Sequence, residues 1–179
     1  KGKYKHFFIK EIHEEPLIIE NTALNGLSGA QKLADLIENA FGTFLIACGS
    51  ASYSAIGATY LFSKIAKKHV NFSIGSEFKY MEDFITSKTL VIPISQSGES
   101  IDVIEPVVRA KEQKGAKIAA IVNVLGSTLY RIADFKILLE SGPEKAVVAT
   151  KSFVAMIAVL ILTAYTLSGK QKKGQLLLN

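Results

Sequence analysis

Thr89-Leu-Val-Ile-Pro-Ile-Ser-Gln-Ser-Gly-Glu-Ser100 runs from an apolar stretch, through small hydroxyl residues and a glycine, straight into a helically spaced segment, Ser100 to Lys114. A short apolar run bounded by turn signals reads as a strand buried on both faces, the kind that parallel sheets produce. Four other runs share this texture: Thr43 to Cys48, Val70 to Ile74, Lys117 to Val124 and Phe135 to Leu139. Between the runs lie helical segments, Ser54 to Lys68, Ser76 to Phe84, Ser100 to Lys114 and Ser127 to Ala133, and a strongly apolar one from about Val148 to Leu167 follows the last. Strand and helix alternate, and helices of this length act as right-handed crossovers between parallel strands. The predicted fold is therefore α/β, a three-layer α/β/α sandwich around a five-stranded parallel sheet.

Outward from that core, His6 to Leu24 carries Phe8, Ile12, Leu17 and Ile19 at near-helical spacing, which predicts a helix broken or kinked at Pro16. Asn25-Gly26 and Ser28-Gly29 mark a turn, and Gln31 to Asn39 places Leu33, Leu36 and Ile37 on one face of a second helix. The expected organisation is an N-terminal helical segment over 1–41, the α/β domain over 42–168, and a linker or start of a further element over 169–179. Gln175-Leu-Leu-Leu-Asn179 reads as the beginning of that element, since three exposed leucines need cover. With neither an initiator Met nor a signal-peptide pattern, the chain is expected to begin inside a longer parent or to be a trimmed form of one.

With 179 residues, 49% of them hydrophobic and 21% charged, the chain can bury a sizeable core, which excludes a disordered protein. A formal net charge of +5 suits an anionic ligand. The basic residues are scattered, dense only at Lys1 to Lys5 and Lys170 to Lys173, and no aromatics interleave with them, so a small phosphorylated ligand is expected rather than nucleic acid. The single cysteine, Cys48, excludes an internal disulfide and fits the cytoplasm. His6, His13 and His69 are too sparse for a zinc site. Phe153 to Leu167 is uncharged but shorter than the roughly 18 to 20 residues that span a bilayer. Apolar on nearly every face, it is expected to lie partly in a subunit or domain interface, most simply that of a homodimer.

In an open parallel sheet, ligands collect where strands end and helices begin. Cys48-Gly-Ser-Ala-Ser-Tyr-Ser54 follows the first strand and Ser95-Gln-Ser-Gly-Glu-Ser100 the third. Small residues let the backbone approach a ligand, first-turn N–H groups and the helix dipole favour an anion, and serine hydroxyls add donors. Ser50, Ser52, Ser97 and Ser100 could instead simply cap helices; two such loops on one sheet favour the anion site. No cofactor is expected. The dinucleotide fingerprint is missing after the first strand, and Gly169-Lys170 follows a helix with Ala164 where a P-loop needs glycine. A Cys48 nucleophile would need a base, and no histidine lies near it in the sequence.

Glu11-Ile-His-Glu-Glu-Pro16, Ala47-Cys-Gly-Ser50, Ser76-Glu-Phe-Lys-Tyr80, Ile94 to Ser100, Asn123-Val-Leu-Gly-Ser127, and Gly142-Pro-Glu144 with Ala149-Thr-Lys-Ser-Phe153 follow one another in order and spacing. Together they resemble the first sugar-isomerase (SIS) subdomain of the glutamine:fructose-6-phosphate aminotransferase family, over nearly the whole chain. The resemblance implies a Rossmann-like, flavodoxin-like SIS fold that binds fructose 6-phosphate or glucosamine 6-phosphate. It places Ser95, Gln96, Ser97 and Ser100 around the phosphate and nearby sugar oxygens, and has Val147 offer backbone groups to the sugar. Where the family has Cys-Gly-Thr-Ser this chain has Cys48-Gly49-Ser50-Ala51, so Ser50 or Ser52 must stand in for the lost serine. A second serine of the family is Ala149 here. The family's isomerising base and Schiff-base lysine belong to the second SIS subdomain, which, like the glutaminase domain, lies outside this chain, so no catalytic residue is assigned. A parent acting as a sugar-phosphate isomerase or deglycase, or a stand-alone binding module, are the alternatives. Glu77, Glu99, Glu144 and Lys151 are the residues that could move a proton or form a Schiff base. The favoured reading gives them structural work instead: Glu99 as a charge in its helix's first turn, Glu77 and Glu144 as acceptors for loop backbone, Lys151 as an acid's partner.

Overall fold

The five apolar runs form β1 (Gly42–Ala47), β2 (Asn71–Ile74), β3 (Thr89–Ser95), β4 (Lys117–Val122) and β5 (Phe135–Leu138) in the computed structural model, which describes residues 2–179. Lys1, the first residue of the N-terminal basic patch, lies outside the described residues. All the pairings are parallel, in the order β2-β1-β3-β4-β5. Because β2 lies on one side of β1 and β3 on the other, the winding reverses between β1 and β3, and a crevice forms at their C-terminal ends.

Alternate strand residues feed opposite layers. Leu45 and Ala47 of β1, Leu90, Ile92 and Ile94 of β3, and Ala119 and Ile121 of β4 pack with α2 (Leu27–Asn39), α3 (Ser50–Leu61) and α6 (Lys151–Leu167). Phe44, Ile46, Val91, Ile118, Ala120 and Val122 pack with the 3-10 helix Gly75–Phe84, α4 (Ile101–Lys114) and α5 (Thr128–Ile132). Each buried Val, Leu, Ile or Phe among them contributes about 1.5–3 kcal/mol. The three-layer α/β/α sandwich is the observed architecture.

Several boundaries differ from the sequence reading. The helix α1 (Phe7–Asn25) continues through Pro16, which lies on its exposed face, where water can satisfy the carbonyl that proline leaves without a donor. α3 begins at Ser50, not Ser54, and runs into a π-helical turn, Phe62–Ala66, ended by Lys67 at φ 56°. The C-terminal tail is helical from Gln171 as α7 (Gln171–Leu178), packed so that a Cβ on Gly174 would meet the Tyr165 side chain at 2.7 Å. Most of the apolar surface of α6 is covered within the chain, by α1, α2, α3 and α7 as well as the sheet. Its uncovered part, Ile157 and Ile161, lines an open groove with Tyr53 and Tyr60, which are 70% and 71% exposed. Among the described residues no helix is long and apolar enough to cross a membrane.

Candidate functional site

Ala47 pairs with Ile94, so the loops leaving β1 and β3 lie side by side at the reversal of the sheet. Gly49 has φ 57° and ψ −137°, a conformation open to glycine, and it turns the chain directly from β1 into α3. A cavity of about 290 Å³ opens there, near the small end of the range for ligand clefts. Ser50, Ser95, Gln96, Ser97, Ser100 and Val147, all singled out in the sequence, lie on its wall, together with Cys48, Ala51 and Ala149. Ser52 does not: it is buried, and its hydroxyl donates to the Gly49 carbonyl at 2.6 Å. Of the two serines able to replace the missing hydroxyl at Ala51, the exposed Ser50 is the one facing the cavity.

The serines at the two helix starts do not cap them through their side chains. Gly49 and Ser100, the N-cap residues of α3 and α4, make no side-chain cap bond. The Ser95 hydroxyl oxygen accepts the Gly98 N–H at 3.0 Å and lies 3.3 Å from Ser100 Oγ, while Ser97 Oγ accepts the Glu99 N–H at 3.1 Å. These bonds shape the β3–α4 loop and leave the positive ends of α3 and α4 open to an anion, an interaction of about 0.3–1 kcal/mol per helix when exposed and up to about 2 kcal/mol when partly buried. Gly98, at φ 67°, sits where a Cβ would lie 2.1 Å from Ser127 Oγ, so both backbone conformation and space demand glycine.

The opposite wall is a strap over residues 141–150 between β5 and α6. Asn123, just past β4, donates to the Gly142 carbonyl at 2.9 Å and accepts from the Ser141 N–H and hydroxyl. Glu144 accepts from the N–H groups of Thr150 and Ser152, both at 2.9 Å, and from the Ser152 hydroxyl at 2.7 Å. Glu11 of α1 reaches the strap from outside, accepting the Lys145 and Ala146 N–H groups at 2.7 and 3.2 Å and the Thr150 hydroxyl at 2.8 Å. Burial pushes the Glu11 carboxyl up, but those donors and the nearby Lys151 charge together hold it below its ordinary value.

Those bonds settle the chemistry available to the four candidates. Glu144 lines the cavity, yet its oxygens are engaged by the strap and the start of α6. Lys151 is 5% exposed and donates to Glu14 at 2.9 Å. Hydrogen bonds from Lys10 and Lys151 hold the Glu14 carboxyl below its ordinary value. Glu99 points away and accepts the Thr128 N–H at 2.8 Å, so the helix it serves is α5, not α4. Glu77 accepts from the Ser76 hydroxyl at 3.3 Å, not from loop backbone. Among the described residues, Cys48 and an occupied Glu144 are the titratable side chains on the cavity wall. Among the described residues no three His, Cys, Asp or Glu side chains cluster to hold a metal.

Sequence reasoning missed the part of the wall made by Ala146, Val148, Ser152, Phe153 and Met156, and the role of Glu11. Thr150 was the available signal. Read as the N-cap of α6 it puts Ser152 in the first turn, whereas starting the helix at Val148 hides the strap. Glu11 opens the first motif of the resemblance, but its role carried no local signal, because its partners lie 134 or more residues away.

Residues 36–165, most of this architecture including both serine loops, match the model of the SIS domain family. The chain belongs to the SIS domain family. This SIS domain is 41% identical, over 97% of its length, to the glutamine–fructose-6-phosphate aminotransferase (isomerizing) of Fusobacterium nucleatum, and 36% identical, over 92%, to that of Thermus thermophilus. It spans 30% and 28% of the length of those two relatives. Among solved structures it superimposes on the C-terminal domain of glucosamine-fructose-6-phosphate aminotransferase from Francisella tularensis with a TM-score of 0.84 and 29% identity, covering 99% of this chain and 54% of that one. The SIS fold implied by the sequence resemblance is the fold of this domain.

Proposed function

We propose that this SIS domain binds a sugar 6-phosphate, fructose 6-phosphate or glucosamine 6-phosphate, with the phosphate seated among Ser50, Ser95, Gln96, Ser97 and Ser100 and the sugar against the Ala146–Val148 backbone. The reading is carried by the convergence on one cavity of two serine-lined helix starts that no side chain caps. Isothermal titration tests it: fructose 6-phosphate is expected to bind far more tightly than fructose, because the free sugar offers the helix starts no charge. Equal affinity for the two would overturn it.

In this reading the domain is the first SIS subdomain of a cytoplasmic amidotransferase that uses ammonia from glutamine to make glucosamine 6-phosphate. A second SIS subdomain and a glutaminase domain would supply the chemistry, and the chain would pair as a homodimer through the groove of Tyr53, Tyr60, Ile157 and Ile161. The 179-residue chain is then expected to bind without turnover, because Glu144 and Lys151 are occupied. Glucosamine 6-phosphate or glucose 6-phosphate formed from fructose 6-phosphate above a no-protein control would contradict this. Ala51 and Ala149 on the wall, where the resemblance expects serines, favour a second reading in which the parent is an isomerase or deglycase for another sugar phosphate. Competition among hexose 6-phosphates separates the two.

A further inference from the structure

The strap that forms the sugar-facing wall is not held by its own ends alone. Between Gly142 and Thr150 it forms neither helix nor strand, and Val147, at its crest, is 105% exposed. One end is pinned by Asn123 and the other by Glu144 at the start of α6, but the backbone between Lys145 and Ala146 is bound by Glu11, a carboxylate only 2% exposed on a helix that precedes the family-matched residues 36–165. Thr150 Oγ1 lies 2.8 Å from Glu11 Oε2 and 3.0 Å from Glu144 Oε1, so its single proton is shared between the carboxylates that hold the two parts of the strap. A buried carboxylate with three protein donors has little freedom to move. It therefore sets where the Ala146–Val148 backbone stands across the cavity from Ser95, Gln96 and Ser97.

We infer that Glu11 is a positioning residue for sugar recognition: α1 fixes the wall that meets the sugar, while the phosphate seat at the β1 and β3 loops is independent of it. The inference rests on the phosphosugar reading above and deepens it. It divides the site into an anion subsite built by the sheet and a sugar subsite whose geometry is set from the N-terminal helix. No hydrogen bond joins Glu11 to Ser50 or to the Ser95–Ser100 loop, which is why the two subsites are expected to respond separately.

Calorimetry and amide hydrogen exchange on the 179-residue chain test this, with fructose 6-phosphate and inorganic phosphate as the two probes. In Glu11→Ala, fructose 6-phosphate is expected to bind about tenfold more weakly while inorganic phosphate changes less than about twofold. The Lys145 and Ala146 amides are expected to exchange about tenfold faster while those of Gly98 and Glu99 keep their rates. Glu11→Gln, which keeps the shape and one acceptor oxygen, is expected to fall between the two and serves in its place should the alanine variant not fold. Thr150→Ser retains the hydroxyl and is expected to stay within about twofold of the unsubstituted chain. Unchanged fructose 6-phosphate binding in a folded Glu11→Ala or Glu11→Gln chain overturns the inference. So does an equal loss for both probes, which general loosening of the fold would produce. If the unsubstituted chain binds neither probe, the phosphosugar reading fails by itself, and the exchange rates at Lys145 and Ala146 still decide whether Glu11 holds the strap.

Discussion

Glu144 closes the start of α6 through Ser152, accepting its N–H at 2.9 Å and its hydroxyl at 2.7 Å. Three helix N-termini approach the cavity, those of α3, α4 and α6, and this carboxylate already neutralises the third. An anionic ligand is thereby expected at α3 and α4, whose N-cap residues make no side-chain cap bond. Glu144→Ala removes a charged acceptor from the Thr150 and Ser152 groups at once. It is expected to lower stability by about 2–4 kcal/mol, measured by urea denaturation, and Glu144→Gln by less. A change within about 0.5 kcal/mol for the alanine variant would mean that solvent replaces the carboxylate without cost.

Ser97 and Ser95 are expected to separate binding from stability. Ser97→Ala loses a hydroxyl on the exposed part of the loop and is expected to weaken fructose 6-phosphate binding by about 1–3 kcal/mol with little change in Tm. Ser95 is buried and accepts the Gly98 N–H, so Ser95→Ala is expected to cost stability as well, about 1–2 kcal/mol. Titration calorimetry and thermal melts on the two variants distinguish them; identical profiles would count against separate roles.

Gly98→Ala tests the shape of the same loop. Its methyl group would meet Ser127 Oγ at 2.1 Å and Ser127 Cβ at 2.6 Å, and its backbone would remain at φ 67°. Strain and overlap together are expected to cost about 2–4 kcal/mol and to displace Ser97 and Ser100. Loss of fructose 6-phosphate binding with a lowered melting temperature is the expected outcome. Wild-type affinity in this variant would show that the loop is not the phosphate seat.

Acid is expected to release the strap. The Glu11 carboxyl lies below its ordinary value because the Lys145 and Ala146 N–H groups, the Thr150 hydroxyl and the Lys151 charge outweigh its burial. A carboxyl with a lower pKa in the folded chain contributes stability above the ordinary carboxylate range and loses it as pH falls through the folded value. Stability is therefore expected to decline from about pH 5 downward, and Glu11→Gln to flatten part of that decline. Glu14, Glu99 and Asp134, also held below their ordinary values, add to that slope, while Glu15, pushed up by burial and the Glu144 charge, opposes it. Urea denaturation at about pH 7, 5, 4 and 3 gives the two slopes, and coincident slopes would exclude Glu11 as a contributor.

The sheet and the two serine loops were legible in the chain itself. β3 occupies Thr89–Ser95 as its apolar run predicts, because a strand buried on both faces needs no partner information to be recognised. Ser50, Ser95, Gln96, Ser97 and Ser100 were legible for a related reason, since each lies within a few residues of the strand end or helix start that positions it. Tertiary structure alone decided the rest. It set Ser52 against the Gly49 carbonyl and not in the cavity, turned Glu99 toward α5, and brought Glu11 to Lys145 across 134 positions of sequence. A periodic pattern records which face of an element is buried. It does not record which distant donors a buried carboxylate will meet, because packing α1 on α6 creates that pairing only when the chain has folded.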